Sequence, residues 1–137
     1  MLGAGKDGHV WRTSRLSALK IHETRSSYIP EVDAYIRLHE LGLRKLAGFN
    51  LPSMLDHDDE LFAIEMDVVF PPFVVDFASA FLDFPTDLIE DEGHTLADLV
   101  QSRFGERSDA VMNFYHALVD RAGIYLSDLH PNNVKFE

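Results

Sequence analysis

The order of apolar and polar residues predicts strands in the first part of the chain and helices in the last part. Residues 1–22 place glycines between short apolar runs, which predicts two short antiparallel strands joined by a turn. Apolar residues at helical spacing then predict a helix over residues 28–41. Pro30 suits the first turn of this helix, and Gly42 is placed to cap its C-terminal end.

The predicted helix has two candidate faces. Ile29, Val32 and Ile36 lie at helical spacing on one of them, and Glu31 lies with Tyr35 and Leu38 on the neighbouring one.

A second strand pair is predicted over residues 51–56 and 61–69, with the polar run Asp56 to Glu60 between them. The following residues 70–94 give no periodic signal, because Pro71-Pro72 interrupts any regular element. This segment is therefore expected to be an irregular connector.

The last part of the chain carries two apolar stripes with helical spacing. They predict helices over residues 95–103 and 108–122. Residues 123–134 then predict a strand, a polar loop and another strand. Strands followed by helices indicate an α+β fold.

Composition narrows the choice of partner. The 137 residues are 46% hydrophobic, which is enough for one globular core. The net charge of −11 makes nucleic acid and anionic membranes unfavourable partners, and it also repels free nucleotides at long range. A nucleotide site would therefore depend on local cations. The absence of cysteine excludes disulfides and fits a cytoplasmic protein.

Three glycines open the chain in a G-x-G-x-x-G-x-V pattern formed by Gly3, Gly5, Gly8 and Val10. Glycine lets backbone N–H groups approach a phosphate closely. The pattern by itself is equally compatible with a glycine-rich hairpin that binds nothing.

Lys20 stands among apolar residues in the second predicted strand. Taken alone, it could be an edge-strand lysine that faces water. It could also be a cation that binds phosphate oxygens and is held by a carboxylate. Glu31 in the next helix is the obvious partner, and Glu23 is an alternative close in sequence.

The loop SDLHPNNV near the end of the chain contains Asp128 and Asn133, five residues apart. A carboxylate can take the proton of a hydroxyl nucleophile, and an amide oxygen can bind Mg²⁺. A polar surface turn would have a similar composition, so the loop alone does not decide between the two.

In this order the glycine loop, the strand lysine, the helix glutamate and the D-x-x-x-x-N loop resemble the protein-kinase-like superfamily. The resemblance implies a kinase-like N-lobe over residues 1–69, made of an antiparallel sheet and one main helix. It implies a hinge or connector over residues 70–94. A partial C-lobe with the first helices and the catalytic loop would occupy residues 95–137.

The resemblance also implies ATP and Mg²⁺ as cofactors and a role for each matching residue. Asp128, Lys20 and Glu31 would be catalytic, and Asn133 would bind the metal. The nucleotide would be bound by Gly3, Gly5, Gly8, Val10, Lys20 and Met66.

The chain departs from the family pattern in two respects. Its SDLHPNNV loop is closer to aminoglycoside-phosphotransferase-like enzymes than to eukaryotic protein kinases. The sequence ends four residues after Asn133, before any Asp-Phe-Gly segment. The second metal-binding carboxylate would then have to come from Asp76, Asp83 or a partner chain, and no spacing favours either residue.

Three functions follow from this pattern. The first is an ATP-dependent phosphotransferase of weak activity that acts on hydroxyl groups of proteins or small molecules. The second is a non-catalytic pseudokinase or scaffold module. The third is a fragment that needs a partner chain, in which the helix over residues 108–122 exposes its apolar stripe and drives self-association. A metal hydrolase using His57, Asp58, Asp59 and His130 is set aside, because residues 56–60 are typical of a solvated hairpin tip.

Overall fold

The computed structural model describes residues 3–4, 8–14, 16–74, 77, 80–83, 96–126, 129–131 and 133–137. Strands dominate the first part and helices the last, so the predicted α+β class is confirmed. In chain order the elements are β1 (Gly3–Ala4), β2 (Gly8–Arg12), β3 (Ser17–His22), α1 (Arg25–Glu40), β4 (Lys45–Leu46), β5 (Phe49–Asn50), β6 (Met54–Asp58), β7 (Ala63–Asp67), β8 (Phe73–Val74), β9 (Ala80–Leu82), α2 (Leu96–Phe104), α3 (Ser108–Ala122), β10 (Ile124–Leu126) and β11 (Val134–Lys135).

The largest sheet is antiparallel and has the strand order β1-β2-β3-β7-β6. The prediction of two strands in residues 1–22 is wrong by one strand, since the glycine-rich segment itself forms β1 and pairs Gly3 with Val10. The predicted strand pair is present, but its strands begin at Met54 and Ala63 rather than at residues 51 and 61.

Helix α1 begins three residues earlier than its apolar pattern predicts. The Thr24 hydroxyl accepts the backbone N–H of Ser27 at 3.2 Å, which caps the helix ahead of Arg25. Pro30 therefore lies inside the helix and not in its first turn. The predicted cap is confirmed: Gly42 has φ +68°, and its N–H donates to His39 O at 3.0 Å.

The packed face of α1 is the one that contains Glu31. Tyr28, Glu31, Tyr35 and Leu38 are buried, whereas Ile36 is 37% exposed. The two tyrosines have larger rings to bury than the isoleucines, and Glu31 finds cationic partners in the sheet. From the neighbouring face, Val32 is also buried.

Three short strands that the sequence pattern did not predict, β4, β5 and β8, join the predicted strand β11 in a second, four-stranded sheet of order β11-β8-β5-β4. Its strand β8 falls within residues 70–94, as does β9, which pairs with β10. That segment is therefore not wholly irregular; its residues 84–94 lie outside the described part. The sheet takes strands from all three predicted parts of the chain, and the division into those parts stays a prediction.

Helices α2 and α3 lie within one residue of their predicted bounds. The apolar stripe of α3 is buried: Val111, Phe114 and Leu118 have no exposed surface. The sequence predicts self-association through an exposed apolar stripe on this helix, and that stripe is buried instead. None of the helices in the described part of the chain is long and apolar enough to cross a lipid bilayer.

Candidate functional site

The candidate site lies on the face of the five-stranded sheet that packs against α1. In an antiparallel sheet, directly opposite residues point to the same face. Lys20 stands opposite Val10 on one side and Ile64 on the other, and the neighbouring Ala18 stands opposite Met66. The strand register therefore groups three predicted site residues, Val10, Lys20 and Met66, on one surface.

Lys20 and Glu31 form a buried ion pair between β3 and α1. The distance between Lys20 Nζ and Glu31 Oε1 is 2.8 Å. Lys20 is 7% exposed and Glu31 is fully buried. Removing two charges from water is unfavourable, and such a pair contributes little net stability compared with well-packed apolar residues. A buried ion pair of this kind therefore favours a functional role for the Lys20 charge over a structural one.

His22 is a third member of this cluster, and the sequence analysis missed it. His22 Nε2 lies 2.7 Å from the same Glu31 Oε1 atom, and His22 Nδ1 lies 3.0 Å from Ser27 Oγ. The side chain of His22 is fully buried. Strand periodicity could have revealed it, because residues two apart share a face and His22 follows Lys20 by two.

The Glu31 carboxylate is unevenly satisfied. Oε1 accepts from both Lys20 and His22, whereas the buried Oε2 has no hydrogen-bond partner. A buried polar atom without a partner costs about 1–3 kcal/mol. The cluster thus combines a cation suited to an anionic ligand with an acceptor that is open to a further donor.

The glycine loop is only partly described. Gly3 on β1 pairs with Val10, and Gly8 on β2 pairs with His22 on the strand of Lys20. Gly5 lies outside the described residues. The backbone geometry of the phosphate-binding turn is therefore left as a prediction.

Asp128 also lies outside the described residues. Asn133 stands in the turn before β11, where its backbone N–H donates to His130 O at 2.8 Å. Strand β11 belongs to the four-stranded sheet and Lys20 to the five-stranded one. Among the residues that the structure describes, no group of three or more His, Asp or Glu side chains could hold a metal ion.

Asp83 is engaged away from Lys20. Arg37 donates to both of its carboxylate oxygens, at 2.6 and 2.9 Å, and also to Ala122 O at 3.2 Å. The hydrogen bonds from Arg37 lower the pKa of Asp83 and keep it ionised. This pairing argues against Asp83 as a magnesium ligand, and the other candidate, Asp76, lies outside the described residues.

The hairpin that was considered for a hydrolase makes a different contact. Tyr28 Oη donates to Asp59 Oδ1 at 2.7 Å, and His57 Nδ1 lies 3.0 Å from the same oxygen. Burial, followed by the bond to Asp59, raises the pKa of Tyr28, while that bond lowers the pKa of Asp59. These contacts anchor the hairpin to α1.

A small surface cavity of about 30 Å³ lies elsewhere on the molecule. Tyr35, Arg44 and Met54 are among its lining residues, and Lys20, His22 and Glu31 are not. Because the Lys20, His22 and Glu31 cluster does not line this cavity, we assign no ligand to it.

Comparison with protein-family models, with curated proteins and with solved structures finds no match for this chain. The likeness to the protein-kinase-like superfamily therefore stands on the residues themselves.

Proposed function

We propose that this chain binds ATP on the Lys20 face of the five-stranded sheet and is a kinase-like phosphotransferase for hydroxyl groups of proteins or small molecules. The observation that carries the proposal is the buried ion pair between Lys20 on β3 and Glu31 on α1. It is the strand lysine and helix glutamate pairing that the sequence order predicts.

The apolar surroundings of Lys20 favour the binding of an anion by its ammonium group. Val10 and Ala18, which lie beside it, are half-buried, and Ile64 is fully buried. An ammonium group among apolar side chains interacts more strongly with a phosphate than it would in water. Because the chain carries a net charge of −11, phosphate binding needs a local cation of this kind.

In this proposal Lys20 contacts phosphate oxygens, and Glu31 fixes the direction of the ammonium group. Val10 and Met66 provide apolar surface for the base. ATP supplies the transferable phosphoryl group. These assignments require only the sheet and α1, which are both described.

The remaining roles belong to the SDLHPNNV loop. Asp128 accepts the proton of the acceptor hydroxyl, and the side-chain amide oxygen of Asn133 suits Mg²⁺, a hard cation that prefers oxygen ligands. A single amide is an incomplete magnesium site. We therefore expect the chain to bind the nucleotide and to transfer its phosphoryl group only slowly.

The proposal is tested by calorimetric titration of ATP, with and without Mg²⁺, into the wild type, Lys20→Met and Lys45→Met. Losing a charged hydrogen bond to phosphate should weaken binding by about 10- to 100-fold in Lys20→Met. Lys45→Met removes an equal charge from an exposed position on β4 and should bind as the wild type does. Equal affinity in all three proteins, or no binding by folded wild type at millimolar nucleotide, would exclude a site at Lys20.

A non-catalytic nucleotide-binding module would share Lys20 and Glu31 but would not need Asp128. Asp128→Asn separates the two functions. An enzyme should keep its ATP affinity and lose ATP turnover in this variant. ATP binding without turnover in the wild type would indicate the binding module, whereas unchanged turnover in Asp128→Asn would exclude Asp128 from catalysis.

A further inference from the structure

The Glu31 carboxylate is shared between two donors that compete for one oxygen. Lys20 Nζ lies 2.8 Å from Oε1 and His22 Nε2 lies 2.7 Å from it. All three side chains are buried. A stronger hydrogen bond from His22 to this oxygen therefore weakens the ion pair between Glu31 and the Lys20 ammonium group.

The partners of His22 suit both of its protonation states. In the neutral ring, Nε2–H donates to Glu31 and Nδ1 accepts from the Ser27 hydroxyl, 3.0 Å away. In the protonated ring, Nδ1–H donates to the Ser27 oxygen, and the hydroxyl hydrogen turns to Thr24 O at 3.1 Å. The imidazole can therefore take up a proton without losing a hydrogen bond.

We propose that His22 is a positioning residue for Lys20, and that proton uptake by its imidazole strengthens nucleotide binding. This inference rests on the proposed function. With neutral His22, the charges of Lys20 and Glu31 cancel. With protonated His22 the cluster carries one net positive charge, and the charge-assisted bond to Glu31 leaves the Lys20 ammonium more available to phosphate. Affinity for a nucleotide thus rises as the pH falls and His22 takes up a proton.

Among the described residues, Glu31 and Lys20 are the charged groups that share one carboxylate oxygen with His22. From α1, Tyr28 packs edge-on against the imidazole with ring centroids 6.0 Å apart. The Tyr28 hydroxyl is engaged by His57 and Asp59. On the adjacent strand β2, His9 stands opposite Ile21 and so points to the other face of the sheet.

The test is the pH dependence of ADP affinity between pH 8 and pH 6 in wild type, His22→Gln and His39→Gln. A terminal phosphate also titrates near this range, and His22→Gln reports that contribution alone, because glutamine can still donate to Glu31 but does not titrate. We expect the wild type to gain about 5-fold or more in affinity beyond His22→Gln. His39 is exposed on the same helix, so His39→Gln should follow the wild type.

A second measurement needs no nucleotide and no change at His22. The imidazole of His22 is followed by NMR against pH in wild type and Glu31→Gln, and the two titration curves should differ because Glu31 is the partner of Nε2. Ser27→Ala, which removes the partner of Nδ1, should reduce the pH dependence of ADP affinity. A merely structural His22 would not link proton uptake to affinity.

The outcomes separate this inference from the proposed function. Equal pH dependence in wild type and His22→Gln, with ADP bound by both, overturns the inference and leaves the proposed function standing. A His22 titration indifferent to Glu31→Gln also overturns it. No ADP binding by the wild type at any pH overturns the proposed function and this inference together.

Discussion

Gly123 lies at a position where a side chain would meet an ion pair. It ends α3 with φ +63°, and a Cβ atom there would lie 2.8 Å from Asp83 Oδ1 and 3.3 Å from Arg37 Nη1. Those two atoms belong to the ion pair that joins α1 to the residue after β9. One glycine thus lets three segments of the chain approach one another.

We expect Gly123→Ala to destabilise the protein more than Gly42→Ala does. Both glycines follow a helix with positive φ, which costs an alanine about 1–2 kcal/mol. A Cβ on Gly42 would have nothing within 4 Å, whereas one on Gly123 displaces Asp83. Urea unfolding of the two variants measures the difference, and it should disappear when Asp83→Ala is added to both. Equal losses in the two single variants would show that the contact is unimportant.

At the scale of one element, α1 positions the site because its ends are both fixed. The N-terminal cap at Thr24 sets the phase of the helix, and the cap at Gly42 ends it with Leu43 N donating to Leu38 O at 2.9 Å. The same Thr24 also accepts from Ser27, the partner of His22. The cap therefore belongs to the hydrogen-bond network of the candidate site.

Replacing Thr24 with alanine should reduce the free energy of unfolding by about 1 kcal/mol, since one helix N–H loses its acceptor. Ser26→Ala is the control, because Ser26 is exposed and its backbone bonds remain. Denaturant unfolding monitored by circular dichroism measures both variants. A Thr24→Ala protein as stable as Ser26→Ala would mean that the cap contributes nothing.

At the scale of the whole molecule, aromatic side chains join the first and last parts of the described chain. Phe49 on β5 lies 5.1 Å from Phe114 of α3 and 5.4 Å from Phe136 near the C-terminal end, measured between ring centroids. Phe49 is 2% exposed. Because the four-stranded sheet spans the same parts, we expect them to unfold together.

Phe49→Ala should cost about 3–5 kcal/mol, the usual loss for a buried phenylalanine. The single tryptophan, Trp11 on β2, reports the five-stranded sheet by fluorescence, and circular dichroism reports the helices. Both signals should shift together to lower urea concentration. Phe70→Ala, at an 82% exposed position, should change stability little. Two separate transitions would show that the predicted parts fold independently.

The sequence by itself determined the elements whose signals are local. Apolar periodicity placed α2 and α3, and the glycine after α1 marked its end, because these features depend on neighbours within a few residues. It also indicated Lys20 and Glu31 as partners, since their order along the chain has a recognisable pattern. Two-residue strands such as β4 and β5 give no such signal, because their pairing is with distant segments.

Only the tertiary structure decided which face of α1 is buried and which residues share the Glu31 carboxylate. The spacing of residues gave α1 two candidate faces, and the face with Glu31 packs inward because the sheet offers Lys20 and His22 as partners for its carboxylate. The spacing of His22 two residues after Lys20 does not predict a shared partner, because the shared carboxylate comes from helix α1. Spacing along a chain fixes local geometry, whereas the sharing of one oxygen by two strand residues depends on how the helix crosses the sheet.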